Sequence, residues 1–150
     1  MPALQVMQSW LDEAGNATLV GDWDTYRACV VLPFHLITEK ATMVVDTEDV
    51  LRRGFDEFRQ NLAIMRVTDY IRLGESAAEI GPDLIAGRYV THLMSNAHRI
   101  VPPFRSHVTL RRQGNRWCAA SIVNALSNTQ WPIASPSSAS SSDEISSVIA

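Results

Sequence analysis

The chain has 150 residues and a formal net charge of −3. This length fits one domain and leaves no room for two. With 46% apolar and 19% charged residues, the composition predicts a packed core and excludes a chain that is disordered throughout. Because the net charge is acidic and the basic residues are scattered, a nucleic-acid partner is not expected.

Targeting and cysteine signals favour a cytoplasmic protein. The N-terminus lacks the basic start and apolar run of a secretion signal, and no segment approaches the 18 or so apolar residues of a membrane span. Cys29 and Cys118 each lie in an apolar segment, which predicts buried, reduced thiols; a disulfide and a reactive thiol remain the alternatives.

Three helices are predicted in the first half of the chain. Apolar residues at spacings of three and four predict a first helix over 3–20, and Gly21-Asp22 supplies a stop and then an N-cap for a second helix that ends before Pro33. Thr47 is expected to cap a third helix. Its apolar face carries Leu51, Phe55, Phe58, Leu62 and Met65.

Strand signals fill the rest of the folded region. Residues 34–45 predict one or two short strands with a turn near Glu39-Lys40, and four long strands are predicted over 67–80, 84–95, 104–113 and 116–126. A two-residue turn at Gly114-Asn115 would pair Gln113 with Arg116. One face of this hairpin would then carry Phe104, Ser106, Val108, Leu110, Trp117, Ala119, Ser121 and Val123. The opposite face would carry Arg105, His107, Thr109, Ala120, Ile122 and Asn124.

The end of the chain changes composition. Ser, Ala and Pro dominate after Ile133, so the domain is predicted to cover 1–132 and a Ser-rich, flexible tail to cover 133–150.

Two short motifs carry a family resemblance: Gly21-Asp22-Trp23-Asp24 between the first two helices, and Leu-Arg-Arg-Gln-Gly-Asn-Arg-Trp over 110–117 across the last hairpin. With the element order, they resemble the nuclear transport factor 2-like superfamily, especially its SnoaL-like bacterial branch, over about residues 3–131. The resemblance implies an α+β, cystatin-like fold in which a cone-shaped, curved antiparallel sheet wraps three N-terminal helices. It also implies homodimers through the sheet.

Members of that superfamily use the cone for isomerisation, dehydration, epoxide hydrolysis, aldol cyclisation, ligand binding or protein binding, so the fold does not give the function. In the ketosteroid isomerase branch the resemblance would require a tyrosine at Ala14 and an aspartate at Thr38. Both side chains are missing, which argues against that reaction.

Histidines and aromatic residues are the main candidates for a functional site. His35 and His107 are the candidates for proton donor or acceptor, with His35 expected near the mouth of the cone. The residues predicted to position a ligand are Trp10, Tyr26, Tyr89, His92 and Asn124. Ordinary core packing or structural hydrogen bonding is the alternative for every one of them.

A charged set at Asp69, Arg72, Glu75 and Arg88 is similar to the carboxylate–arginine–carboxylate arrangement of the superfamily's epoxide hydrolases. Strand alternation puts Asp69 and Glu75 on one face and Arg72 on the other, which favours surface ion pairs. No phosphate loop, nucleophile elbow or paired metal-ligand spacing is present in the sequence, so neither cofactor nor metal is predicted.

Two functions remain open. The first is a homodimer that binds a small, largely apolar organic molecule in the cone, with or without cofactor-free isomerisation, dehydration or cyclisation. The second is a non-enzymatic protein-binding or assembly module that dimerises through the sheet, with Arg105, His107, Thr109 and Asn124 at the interface.

Overall fold

A computed structural model describes residues 1–124. The predicted domain end at 132, the last two residues of the final predicted strand and the tail over 133–150 lie outside the described residues. Within 1–124, no helix is long and apolar enough to cross a membrane.

The three predicted helices are confirmed. They are α1 (Ala3–Val20), α2 (Trp23–Ala28) and α3 (Glu48–Ile64). Gly21 ends α1 in the left-handed conformation at φ 80°, which glycine adopts without steric cost. The Asp22 carboxylate caps α2 by accepting a hydrogen bond from the Thr25 N–H, and the Thr47 hydroxyl caps α3 by accepting one from the Val50 N–H.

The strands form one curved sheet. They are β1 (Val30–Thr38), β2 (Thr42–Val45), β3 (Asp69–Gly81), β4 (Leu84–Ser95), β5 (His98–Arg99), β6 (Phe104–Gln113) and β7 (Arg116–Asn124). The order across the sheet is β2-β1-β7-β6-β4-β3, with the short β5 paired to β4. The predicted antiparallel sheet is corrected to a mixed one, because β1 runs parallel to its neighbour β7. The helices cover one face, here called the inner face; the opposite face is the outer face.

A β-bulge changes which residues of β7 point inward. Gln113 pairs with Arg116 and Leu110 with Ala119, as predicted, but Thr109 then pairs with Ser121. The extra residue, Ala120, reverses the alternation. Ser121 and Val123 therefore share the outer face with Thr109 and His107, while Ile122 and Asn124 point inward with Ser106 and Val108. The predicted face assignment was wrong beyond the bulge.

Helix α1 packs against the edge strand β3. The Gln8 side-chain amide donates to the Arg72 carbonyl at 2.8 Å and accepts from the Gly74 N–H at 2.7 Å. The preceding residue, the fully buried Met7, fills the space left by Gly74 and Gly87 on β3 and β4. The helix is thereby fixed over the sheet, with its apolar side closing the core.

Candidate functional site

Polar side chains form a row across the otherwise apolar inner face. Arg72 on β3 lies directly opposite Thr91 on β4. Two residues away, Tyr89 lies opposite Ser106 on β6, and Ser106 opposite Asn124 on β7. All five are buried, with Arg72 only 6% exposed. We call Arg72, Tyr89, Thr91, Ser106 and Asn124 the inner polar row.

Aromatic rings enclose the Arg72 guanidinium. Its Cζ atom lies 5.3 Å from the ring centroid of Trp10, 5.0 Å from that of Tyr70 and 5.6 Å from that of Tyr89. Contacts of this length between a cation and a ring face are attractive, and more so when water is excluded. Three elements, α1, β3 and β4, thus contribute to one buried cationic centre.

Several polar atoms of the inner polar row have no hydrogen-bond partner among residues 1–124. They are Arg72 Nε, Tyr89 Oη, Thr91 Oγ1 and Ser106 Oγ. Tyr89 interacts electrostatically with Arg72, but its hydroxyl makes no well-formed hydrogen bond within that range. Each buried polar group of this kind requires an explanation, such as a bound water or a ligand, because leaving it unpaired is unfavourable.

The described inner face supplies hydrogen bonds and one positive charge. The buried polar or charged residues of this part of the chain are Thr18, Arg72, Thr91, Ser106 and Asn124, so they include no carboxylate and no histidine. Burial raises the pKa of Tyr70 to about 12 and also raises the pKa of Tyr26, so both phenols stay protonated.

Four of the predicted ligand-positioning residues lie inside the cone. Trp10, Tyr26, Tyr89 and Asn124 are all buried. Trp10 already donates its indole N–H to the Cys29 carbonyl at 2.9 Å, so it offers a ring face and no free donor. The Tyr26 ring stacks on Phe55 with centroids 4.7 Å apart, at one side of the Arg72 enclosure.

The histidines lie on the outer face. His35 sits between the buried Phe34 and Leu36 and so points away from the core, which corrects its expected location at the mouth of the cone. His107 is exposed and lines an outer hollow of about 270 Å³ together with Arg88, Thr109, Ser121 and Val123. His92 Nδ1 contacts Arg99 Nη1 at 2.9 Å on the same side. The roles predicted for these histidines stay predictions.

The predicted charged set divides between the two faces, as alternation indicated. Glu75 accepts from Arg105 at 2.6 Å and lies 3.4 Å from Arg88, all on the outer face. The Arg105 hydrogen bond holds the pKa of Glu75 below its usual range. Arg72 faces the core alone, so a carboxylate–arginine–carboxylate site is not formed by these residues.

A groove leads to Arg72 from the side of the sheet. It lies between α1 and the edge strand β3 and has a volume of about 250 Å³. Its lining comprises Leu11, Asp12, Gly15, Asn16, Leu19, Tyr70, Ile71, Arg72 and Leu73. Arg72, Thr91 and Ser106 were not predicted as site residues. The available signal was the period of two that puts Arg72 on the same strand face as Tyr70.

Metal ligands are not grouped in the described chain: among residues 1–124, no three His, Cys, Asp or Glu side chains come together in a way that could hold a metal ion.

Comparison with known proteins identifies the fold. No family model and no curated protein matches the chain. An NTF-2-like protein of unknown function from Shewanella oneidensis is 12% identical, with 81% of this chain and 98% of that chain covered and a TM-score of 0.58. An NTF2-like protein from Cytophaga hutchinsonii is 9% identical, covering 85% and 100%, with a TM-score of 0.56.

A ketosteroid isomerase-like protein from Erwinia carotovora is 16% identical over 81% of this chain and 94% of that chain, with a TM-score of 0.52. None of these three is described as SnoaL-like, so that finer assignment stays a prediction. Identities this low carry no residue roles from one protein to another. The helices, the curved mixed sheet and these structural matches show that the chain has the nuclear transport factor 2-like fold.

Proposed function

We propose that this protein binds a small, largely apolar organic molecule in the cone and holds a polar group of that molecule against the inner polar row. The observation that carries the proposal is the set of buried, unpartnered atoms among residues 1–124 on Arg72, Tyr89, Thr91 and Ser106. A buried polar atom without a partner costs about 1–3 kcal/mol. A ligand with hydrogen-bonding oxygens would satisfy several of these atoms at once.

The surroundings suit such a ligand. Trp10, Tyr26 and Tyr70 lie around Arg72, and Phe55 packs against Tyr26. Small-molecule sites are commonly built in this way, with mainly apolar walls and a few convergent polar groups that fix the orientation.

We propose that the protein binds this molecule without catalysing a reaction on it. Isomerisation, dehydration or cyclisation needs a group that exchanges a proton near neutral pH. The buried polar side chains of the described region include no histidine and no carboxylate, and His35 and His107 lie on the outer face. The ketosteroid isomerase reaction is not proposed, because Ala14 and Thr38 stand where the family resemblance requires a tyrosine and an aspartate.

A matched pair of threonine variants tests the proposal. Thr91 lies in the inner polar row, and Thr109 bonds Ser121 Oγ at 2.6 Å on the outer face. Compounds would be screened by thermal shift and the best binder titrated by calorimetry. We expect Thr91→Val to weaken that binding about 5- to 20-fold without destabilising the free protein, because its hydroxyl has no hydrogen-bond partner among residues 1–124 to lose. Thr109→Val should leave the affinity unchanged.

Opposite outcomes would count against binding in the cone. If Thr91→Val lowered the unfolding free energy of the ligand-free protein by 1 kcal/mol or more, the hydroxyl would have a structural partner. Equal affinity in wild type and Thr91→Val would place the compound elsewhere on the protein.

A second candidate is self-association through the outer face. Ile71, Leu73 and Val123 are 44%, 51% and 38% exposed, and Val123 also lines the outer hollow. Burying such side chains in a homodimer would remove apolar surface from water. Sedimentation should then give a dimer that Val123→Glu dissociates. Ile64→Glu, at a 76% exposed position on α3, is the control. A monomeric wild type at 100 µM would refute this candidate.

We also propose a cytoplasmic location. Cys29 and Cys118 are both buried and free, which suits a reducing compartment. Cell fractionation followed by immunoblotting would check it, and recovery of the protein outside the cytoplasmic fraction would refute it.

A further inference from the structure

We propose that Arg72 is an anion-binding site and that the ligand is an organic monocarboxylate whose carboxylate reaches the guanidinium from the groove between α1 and β3. This inference rests on the proposed ligand-binding function and adds the chemical class of the ligand. It also assigns a role to a cation that the fold buries without a described counter-ion.

Arg72 differs from the arginines that form ion pairs at the protein surface. Arg27, Arg88, Arg105, Arg112 and Arg116 each lie within 4.0 Å of a carboxylate at the protein surface. Arg72 is 94% buried, and within residues 1–124 it forms no such ion pair. Aromatic rings stabilise the cation only in part, since an isolated charge in a protein interior is strongly unfavourable. A carboxylate would supply the missing negative charge.

The donor geometry fits a carboxylate. Arg72 Nη2 donates to the Leu11 carbonyl at 3.0 Å, which fixes the guanidinium against α1. Nε has no partner within the described chain. Nε and Nη2 form one edge of the guanidinium, and Nη2 carries a second hydrogen besides the one that it donates to Leu11. This edge is the fork that binds two carboxylate oxygens side by side.

Gly15 leaves that edge uncovered. It lies inside α1, where glycine is less favourable than alanine. A Cβ atom there would meet Arg72 Nη2 at 3.5 Å and Nε at 3.8 Å, which are ordinary contacts, so alanine would fit sterically. Glycine therefore keeps open the approach from the groove to the guanidinium, although it makes the helix less stable than alanine would.

The groove also limits the charge of the ligand. Its volume of about 250 Å³ admits a small organic acid, and Leu19, Ile71 and Leu73 offer apolar contacts. Asp12 lines the same groove and is exposed, with its Oδ1 accepting from the Gln8 amide at 3.0 Å. One arginine opposed by one nearby carboxylate favours a monoanion over a phosphate dianion.

The experiment uses 2-naphthoate and its uncharged analogue 2-naphthamide as probes, with calorimetry and an NMR record of arginine Nε–Hε signals. We expect naphthoate to bind at least tenfold more tightly than naphthamide and to move the Arg72 Hε signal downfield by about 1 ppm. Arg72→Met should abolish this preference. Arg105→Met, on the outer face of β6, should preserve it.

Two further variants keep the test valid if Arg72→Met does not fold. Gly15→Ala should raise the midpoint of thermal unfolding by about 2–4 °C while weakening naphthoate at least fivefold. If Gly15 had a purely structural role, Gly15→Ala would raise the unfolding midpoint without weakening naphthoate binding. Asp12→Asn should tighten naphthoate binding about two- to threefold.

The outcomes separate this inference from the proposed function. Suppose that 2-naphthoate and 2-naphthamide bind equally well and that Thr91→Val weakens both. The carboxylate assignment would then be overturned, while ligand binding in the cone would stand. Naphthoate binding without movement of the Arg72 Hε signal would also overturn the assignment. The assignment would also be overturned if neither probe bound at 5 mM while other compounds from the wider screen bound and were weakened by Thr91→Val.

Discussion

The contact between Met7 and the sheet depends on a glycine at position 87. A Cβ atom there would lie 2.7 Å from the Ser76 carbonyl oxygen and 3.0 Å from the Ala77 Cβ, and would overlap Met7 Sδ. The Ser76 oxygen belongs to a paired strand and cannot swing aside, whereas Met7 is fully buried. We expect Gly87→Ala to lower the unfolding free energy by about 1–3 kcal/mol, the usual cost of overpacking, and the midpoint of thermal unfolding by roughly 3–10 °C.

Gly81→Ala is the matched control, because a Cβ atom at Gly81 meets nothing within 4 Å. Urea unfolding followed by circular dichroism should give a lower free energy of unfolding for Gly87→Ala. The free energy of unfolding of Gly81→Ala should stay within about 0.5 kcal/mol of wild type. If both variants matched wild type, the close packing of α1 on β4 would be refuted.

Three other changes have defined outcomes. Thr47→Ala removes the cap of α3 and should cost about 1 kcal/mol in chemical unfolding, while Thr47→Ser should retain most of it. Burial, reinforced by a hydrogen bond to Glu13, raises the pKa of the Cys29 thiol to about 12. Iodoacetamide at pH 8 should therefore modify Cys29 only after denaturation. Rapid labelling of Cys29 in the native protein would contradict this prediction. Gln8→Glu removes the donor to the Arg72 carbonyl and should destabilise by about 1–3 kcal/mol, and unchanged stability would show that this bond contributes nothing.

Local signals were sufficient for most of the secondary structure. The apolar spacing of Leu51, Phe55, Phe58 and Leu62 and the cap at Thr47 predicted α3, and all four apolar side chains are buried as expected. The glycine-containing turn at 114–115 predicted the register of the last hairpin near its tip. These features depend on neighbours within a few residues, which sequence patterns report directly.

Longer-range features were not readable from the pattern. The bulge at Ala120 reverses the alternation of β7, and the residues around it, Ala119 to Ser121, are all small enough for either face. Parallel pairing of β1 with β7 joins segments far apart in sequence, such as Val30 with Ala119, and no local signal specifies it. His35 and His107 were selected for their chemistry, but alternation on their own strands directs them outward.

The centre of the candidate site was missed for a similar reason. The sequence pattern groups Arg72 with Asp69, Glu75 and Arg88, which are charged residues on the same hairpin. Its actual surroundings come from α1, β3 and β4, and the decisive fact is burial among aromatic rings without a described acid. Trp10, Tyr26, Tyr89 and Asn124 were predicted for the cone interior as aromatic or amide groups, and the structure buries all four.

The two hydrogen bonds of the Gln8 amide have a consequence for solubility. β3 is the last strand of the sheet, and its Arg72 carbonyl and Gly74 N–H are backbone groups to which another strand would otherwise pair. Gln8 occupies both with one side chain, so α1 protects this part of the edge against strand addition by another molecule. Any partly unfolded form in which α1 detaches would expose that edge, and we expect aggregation to start from such a form.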